Sequence, residues 1–498
     1  MKLIPNIFRQ LSTLCLLMVI LLSSCAKDAA TGDRRAELLS ALPDDAVMTV
    51  ALSPAAILKS AGMEATADGI KLSKSIERLV ASNSSLNKVV GFITSAKGID
   101  YDAAVVAGGI TNGYVLFALS DVDKFCAWAK DNDMEVTKDG SYTVCYKDIQ
   151  TPAIVIDGLT AWFIGSAADE EKAVSIVENN KSAAAKNKIA QWKIDRLMKA
   201  DVNAIVNIEA YGKEMSSAFA MLGLPSLPNL YASNCKYTAG DINFDGATVR
   251  MTGEAYDEAG KSTTMFAEGS FSPIPSSTLA LVKDSQFALG GSLPDAFTDM
   301  ISNMVAMYNL DKQLSDCFTQ CFRSLKSMAI GVSTRDGMSI ANFKPSDISA
   351  TIAIGYDKTE AEKAVALLTP IAKNYGIGED LAECWNSWTG KTSFDFSPYP
   401  QLPDFKIYLT GKDDIAFIST DAKISEVKLS NDPSLEGLLS YLSIDIKKSH
   451  PLLTLAGCPF GIDAHMTATN EKSEGYLTLT ETDTPILESL ITLISRNL

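Results

Sequence analysis

Histidine is nearly missing from this chain, since its 498 residues include only His450 and His465. The metal-binding patterns HExxH and CxxC do not occur either, which removes the usual ligands of a zinc centre. No G-x-S-x-G elbow is present, and a lone histidine on a strand is more often a hydrogen-bonded structural residue than a catalyst. The sequence therefore argues against metal and triad chemistry, and we expect no metal ion and no cofactor.

The glycine spacing of a phosphate-binding loop is missing as well. Gly-Lys-Thr at 390–392 and Gly-Lys-Ser at 260–262 resemble the end of such a loop. The glycine required five residues earlier is Trp385 in the first case and Ala255 in the second, so the backbone cannot wrap a phosphate. No Rossmann glycine pattern occurs. We expect no nucleotide ligand.

Positively charged residues are outnumbered by negatively charged ones. The chain has 44 Lys and Arg against 60 Asp and Glu. Removal of residues 1–24 takes away Lys2 and Arg9 and no acidic residue, which leaves 42 against 60 and a net charge of −18. An acidic surface repels phosphate backbones, so nucleic acid is excluded as a partner. Attachment to a membrane must then come from a lipid rather than from a basic patch.

Long hydrophobic runs are confined to the N terminus. Lys2 and Arg9 precede the apolar run 11–22, which is too short to span a bilayer and is typical of a signal peptide. Leu-Ser-Ser-Cys at 22–25 then matches the bacterial lipobox, in which the cysteine thiol is acylated. We therefore interpret residues 1–24 as a lipoprotein signal peptide and Cys25 as the lipidated residue. The alternative is an ordinary secretory signal that happens to contain a cysteine.

Seven cysteines remain after residues 1–25, and an odd number leaves at least one thiol unpaired. Cys317 and Cys321 lie one helical turn apart, where a disulfide would be strained. We expect buried thiols and no disulfide framework.

The rest of the chain repeats one order of elements. The unit 151–179, with two apolar strands around Asp157-Gly158 and then a helix, resembles the unit 404–427. Such counterparts lie about 225 to 256 residues apart, near half of the mature length. The pattern predicts an α+β fold of two tandem, duplicated domains, each a mixed or antiparallel sheet with helices on one face. The predicted ranges are a tether at 25–41, an N-terminal domain at 42–275 and a C-terminal domain at 276–498.

One segment, CWNSWTGKTSFDFSPYPQLPDF, is unusually aromatic. The rings of Trp385, Trp388 and Tyr399 could stack on a sugar, and Asn386 and Lys391 could donate hydrogen bonds to it. These five residues are the candidate ligand-binding site. The alternative is that the rings fill the core below a neighbouring strand.

The sequence LLSALPDDAVMTVALSPAAILKSAG, which follows the lipobox and the polar tether, resembles a family of uncharacterised Bacteroidales lipoproteins of unknown function. That resemblance implies an outer-membrane or cell-surface lipoprotein of a Gram-negative envelope. It implies no activity and no catalytic residues.

Three functions remain open. The first is a non-catalytic lipoprotein that binds a glycan, a peptide or another envelope partner. The second is a hydrolase that uses a pair of carboxylates, although the sequence selects no pair. The third is a structural component of an envelope assembly. We favour the first and predict that the protein is not an enzyme.

Overall fold

The computed structural model describes residues 31–66, 69–82, 94–109, 113–148, 152–165, 169–221, 230–294, 312–335, 338, 344, 347–374, 392–395, 406–412, 414–421, 424 and 429–497. The chain divides into two compact units. The first comprises Met1–Glu214, Lys236–Lys261 and Thr482–Leu498, and the second comprises Met215–Cys235 and Ser262–Glu481. The predicted domain ranges, 42–275 and 276–498, divide the chain at another place and remain a prediction.

Helices are interspersed among single strands and runs of strands in the first part of the chain. They are α1 (Thr31–Ser40), β1 (Met48–Leu52), α2 (Pro54–Ser60), β2 (Glu64–Thr66), β3 (Gly69–Lys71), α3 (Lys74–Ser82), β4 (Ile99–Gly108), β5 (Gly113–Leu119), α4 (Val122–Asp131), β6 (Glu135–Asp139), β7 (Tyr142–Tyr146), β8 (Ala153–Asp157), β9 (Thr160–Ile164), α5 (Glu170–Lys186), α6 (Gln191–Leu197), β10 (Val202–Asn207), α7 (Ile208–Met221), β11 (Tyr237–Asp245) and β12 (Thr248–Tyr256).

Helices are likewise interspersed among strands after residue 261. They are β13 (Ser262–Thr263), α8 (Ser276–Ala280), β14 (Phe287–Ser292), α9 (Lys312–Ser324), β15 (Leu325–Thr334), β16 (Ile348–Tyr356), α10 (Lys358–Asn374), β17 (Thr392–Asp395), β18 (Lys406–Lys412), β19 (Ile415–Ser419), a 3₁₀ turn (Pro433–Leu435), β20 (Ser440–Ile446), α11 (Pro451–Leu455), β21 (Gly461–Ala468), β22 (Lys472–Thr480) and α12 (Ile486–Asn497). The chain therefore has a mixed α+β fold.

The main sheet of the first unit is antiparallel throughout. Its strand order is β12-β11-β10-β1-β4-β5-β9-β8-β7-β6. β1 is a central strand, and its Val50 lies opposite Val106 on β4 and Ala204 on β10. The last helix, α12, packs on α2 and α3, which explains why residues 482–498 belong to this unit.

Helices cover both faces of this sheet, whereas the sequence pattern predicted a single helical layer. One face buries Val105, Leu116 and Trp162 beneath α1 and α5. The opposite face buries Val106 and Val115 beneath α2 and α4. The prediction failed because the central strands are apolar at nearly every position, and a strand that is buried on both faces loses the alternation that marks a solvent face.

Local sequence signals account for several element ends. Gly158 has a φ of +59° in the two-residue turn between β8 and β9, so the hairpin predicted at Asp157-Gly158 is confirmed. The Asp121 side chain accepts a hydrogen bond from the Lys124 amide at 3.0 Å and caps α4. Asp169 caps α5 in the same way through Lys172.

The sheet of the second unit has the order β22-β21-β20-β14-β15-β16-β19-β18-β17 and is also antiparallel. Its hairpin β18–β19 includes the predicted segment 406–419, and Asp414 takes a φ of +60° in the turn. The central strand β14 lies between β15 and β20, in the way that β1 lies between β4 and β10.

The two faces of this second sheet differ. One face, the closed face, is buried and carries small residues such as Ala288, Gly331 and Ala353, on which Leu279 of α8 and Val282 pack. The opposite face, the open face, carries larger apolar side chains that are half-buried or exposed. The apolar residues of the open face are Phe287, Leu289, Met328, Ile330, Val332, Ala350, Ile352, Ile354, Ala416, Ile418, Leu442 and Ile444, and the strand registers place Ser440 and Thr334 on it as well.

A pair of glycine substitutions tests this asymmetry. A Cβ at Gly331 would lie 2.9 Å from Val282 Cβ, whereas a Cβ at Gly291, on the open-face side of the neighbouring strand, would have no atom within 4 Å. We expect Gly331→Ala to lower the free energy of unfolding by about 1–3 kcal/mol through overpacking. Gly291→Ala should leave it unchanged or raise it slightly. Chemical denaturation measures both, and equal effects would contradict the assignment of the two faces.

Candidate functional site

A surface cavity of about 240 Å³ lies in the first unit, between the end of α1, the β8–β9 hairpin and the C-terminal half of α5. Its apolar wall includes Trp162 and small alanine side chains. Its polar side chains are those of Ser40, Asp157, Thr160, Lys181 and Lys188. Three segments that are far apart in the sequence thus supply hydroxyl, carboxylate and ammonium groups to one cavity.

The fold places each of these groups for a local reason. Asp157 and Thr160 flank the tight turn of the hairpin and lie opposite each other in its register. Lys181 is in the fourth turn of α5, whose start is fixed by the Asp169 cap. The backbone of Lys188 pairs with that of Pro43 in an isolated β-bridge, which holds the segment after α5 beside the end of α1.

Lys181 and Asp157 form a direct ion pair at the cavity rim. The Lys181 ammonium also lies 5.4 Å from the centre of the Tyr142 ring. The hydrogen bond to Asp157 raises the pKa of Lys181, so this amine stays protonated at neutral pH. A protonated lysine is not a nucleophile, and the pair is suited to binding rather than to covalent catalysis.

A second group of charges is buried beside the cavity, under α6. The Lys193 side chain is 6% exposed, and its Nζ lies 2.9 Å from Asp44 Oδ1. The same ammonium lies 3.9 Å from the centre of the Tyr237 ring, a cation–π contact. An adjoining cavity of about 10 Å³ is lined by these three residues among others. Such a space is about one water molecule in size, so this cluster is structural.

Arg196, one turn further along α6, is ion-paired with Asp241 on β11. Its Nε donates a hydrogen bond to the Tyr256 hydroxyl at 3.0 Å, and that hydroxyl contacts Glu254. Asp241 and Glu254 are thus two carboxylates on neighbouring strands. Each is engaged by the arginine or the tyrosine, an arrangement that anchors α6 to the sheet instead of presenting a free acid and base.

The two histidines make hydrogen bonds and ring contacts within the fold. Thr334 donates its hydroxyl proton to Gln286, so His450 Nε2 is the donor in its 2.7 Å hydrogen bond to Thr334. His450 Nδ1 then accepts from the Leu452 amide and caps α11. Burial lowers the pKa of His450, which favours this neutral form. His465 lies among the Tyr441 and Tyr476 rings.

No group of three or more His, Cys, Asp and Glu side chains in the described ranges could hold a metal ion. The six cysteines that the structure describes are thiols rather than halves of disulfides, and four of them are buried. Within the same ranges, no helix is long and apolar enough to cross a membrane.

The residues selected from the sequence are not among those that the structure describes. Trp385, Asn386, Trp388, Lys391 and Tyr399 fall outside the described residues, and so does Cys25. The proposed aromatic site therefore stays a prediction. The cavity at Lys181 was not predicted, because its residues share no motif and meet only when α1, α5 and the hairpin pack together. The Asp157-Gly158 turn indicated the hairpin but not what would pack against it.

Comparison with known proteins gives little further information. No family model matches the chain, and no curated protein matches its sequence. Among solved structures, crystal form III of TP0453 is 10% identical over 44% of this chain and 78% of that chain, with a TM-score of 0.27. Crystal form I of TP0453 is 12% identical over 43% and 77%, with a TM-score of 0.24. Scores this low establish neither a shared fold nor a shared function.

The buried pair under α6 yields a stability prediction. Asp44→Ala leaves the Lys193 ammonium buried without its carboxylate, and we expect a loss of about 3–5 kcal/mol in the free energy of unfolding. Adding Lys193→Met should restore most of that loss, because the uncompensated charge is then gone. The exposed pair Lys213–Glu209 is the control, and Glu209→Ala should cost less than about 1 kcal/mol. Equal losses for Asp44→Ala and the double variant in urea denaturation would contradict the account.

Proposed function

We propose that this protein is a lipid-anchored, non-catalytic binding lipoprotein of a Gram-negative envelope, at the outer membrane or the cell surface. The lipobox at residues 22–25 carries the proposal, since Cys25 follows a basic start and a short apolar run. A lipoprotein with two or more acyl chains stays on the membrane without a basic surface. The net charge of −18 calculated for the mature chain is compatible with this mode of attachment.

We also infer that the two units arose by duplication of one α+β domain. The first sheet contains the order β12-β11-β10-β1-β4-β5-β9-β8-β7, and the second contains β22-β21-β20-β14-β15-β16-β19-β18-β17. In each unit the central strand, β1 or β14, follows a helix. A strand much later in the sequence, β10 or β20, then pairs with it. Nine strands in one order support the repeat that the sequence predicted.

For the binding role, the cavity of the first unit is best suited to an acidic sugar. Lys188 and the paired Lys181 give the rim two ammonium groups against the one carboxylate of Asp157. Ammonium groups can bind the carboxylate of a sugar acid, while Asp157, Ser40 and Thr160 can hydrogen-bond to its hydroxyls. The volume lies just below the lower limit of about 300 Å³ for drug-sized pockets, so one sugar ring is a better match than a chain.

The anchor is tested by Cys25→Ser. The serine hydroxyl cannot form the thioether to diacylglycerol, so we expect the variant to lose palmitate labelling and to leave the membrane pellet. Cys126→Ser, at a half-buried thiol, is the control and should remain in the pellet. Labelling of the Cys25→Ser protein would show that the lipoprotein assignment is wrong.

The cavity is tested with glucuronate as the charged probe and glucose as its neutral match. We expect glucuronate to raise the melting temperature of the protein, and Lys188→Gln to abolish that rise because it removes one ammonium from the rim. Lys213→Gln, at an exposed lysine in the same unit, should keep the full rise. Equal shifts with glucose and glucuronate, or no shift with either, would refute the acidic-sugar assignment.

A further inference from the structure

Two cysteine thiols of the first unit touch each other inside the fold. Cys126 lies on α4 and Cys145 lies on β7, and their side chains share a hydrogen bond. Both pack in the apolar cluster between the sheet and α4, on the face opposite to Trp162 of the cavity wall. Cys145 is completely buried, whereas Cys126 is partly exposed. The pair is therefore separate from the candidate ligand-binding cavity.

The fold brings these two cysteines together through the hairpin that follows α4. The helix packs on β6, and β6 pairs with β7 so that Val136 lies opposite Cys145. Side chains directly opposite each other in an antiparallel pair are on the same face of the sheet. Val136 packs in the same cluster as both cysteines. Cys145 thus lies on the face that α4 covers.

Several contacts hold α4 in this position. The Asp121 cap fixes its start, and Trp128 Nε1 donates a hydrogen bond to Ser95 Oγ at 3.1 Å. The rings of Phe125 and Trp128 are buried, with their centres 5.2 Å apart. Cys126 lies between these two aromatic residues in the sequence, so it cannot move away from β7 unless the buried rings move as well. The two thiols are therefore kept in contact by the packing of the helix.

We propose that Cys126 and Cys145 form a disulfide bond in the exported protein, and that this bond links α4 to β7. The inference rests on the proposed envelope location, because disulfides form and persist in oxidising compartments such as the periplasm. Cys317 and Cys321 are also in contact, but they lie one turn apart on α9, where a bridge would be strained. They remain thiols, and a single bridge makes no disulfide framework.

The oxidant is a second disulfide, either that of a small molecule or that of a thiol oxidoreductase. The more accessible Cys126 thiol loses its proton and attacks one sulfur of the oxidant, which releases a thiolate. Cys145 then loses its proton and attacks the Cys126 sulfur of the mixed disulfide, which releases the second thiolate. Two protein thiols thus give up two electrons and two protons, and the oxidant disulfide becomes two thiols.

The bridge would have a measurable effect on stability. It closes a loop of about 20 residues, and loops of this size are expected to lower the equilibrium constant for unfolding roughly 100-fold. The loop contains β6, which pairs only with β7 among the described strands. The disulfide would therefore secure the last strand of the sheet as well as the helix that covers it.

The bond is tested first in the purified mature chain from residue 26. The reduced protein is incubated with oxidised glutathione, its remaining thiols are alkylated in acid, and it is digested with trypsin. Cys126 and Cys145 then lie on separate peptides, 125–130 and 139–147, with one cysteine each. We expect these two peptides to be joined by a bond that dithiothreitol cleaves. The peptide 313–323, which contains Cys317 and Cys321, should be alkylated at both cysteines.

Cys126→Ser separates the effect of the bridge from other effects of oxidation. In urea denaturation, oxidation should lower the unfolding constant of the unsubstituted chain roughly 100-fold and leave that of Cys126→Ser unchanged. Cys321→Ser is the matched control, because Cys321 is also a half-buried thiol in contact with a second one. This variant should form the bridge and show the full stabilisation.

The second test applies the same peptide analysis to protein that was alkylated in intact cells and then taken from the envelope. Four results would overturn the proposal: separate peptides after oxidation in vitro, a link from Cys126 to another cysteine, a bridge that raises the unfolding constant, or free thiols at both positions in the cellular protein. Palmitate labelling of Cys25 is measured on the same sample. Free thiols in a labelled protein would refute the bridge alone, whereas free thiols without labelling would refute the proposed function as well.

Discussion

Each unit depends on a central strand that is hydrogen-bonded on both sides to strands distant in the sequence. In the first unit, Val50 of β1 lies between Val106 and Ala204, so residues more than 150 positions apart meet in one ladder. Side chains on such a strand alternate between two faces, and both faces must be covered if all of them are apolar. The helical layers are the consequence of this requirement.

The described residues of the two units cover these faces differently. In the first, small and large apolar residues are buried on both faces, and charged residues such as Lys193 enter the interior only with a carboxylate and an aromatic ring as partners. In the second, glycine and alanine on the closed face allow α8 and its following turn to approach the sheet closely. Larger side chains on the same face, such as Tyr441 and Phe417, are buried as well.

The sequence predicted the local elements well and the layers poorly. The Asp157-Gly158 hairpin follows from residue preferences within a few positions. The second helical layer could not be predicted from such local signals. An apolar strand such as Ala153–Asp157 has the same sequence pattern whether helices or another sheet cover it. The cavity at Lys181 was also invisible, since its groups come from three segments that only tertiary packing brings together.

Charge distinguishes the cavity of the first unit from the apolar faces around it. The Lys181 ammonium is held by the Asp157 carboxylate and lies near the Tyr142 ring. For the proposed anionic ligand, attraction to this rim would weaken with added salt, because dissolved ions screen charges at a surface. The apolar side chains beneath the helices are buried by the exclusion of water, which salt does not screen. Added salt would therefore weaken ligand binding at the cavity while leaving the packing of the unit in place.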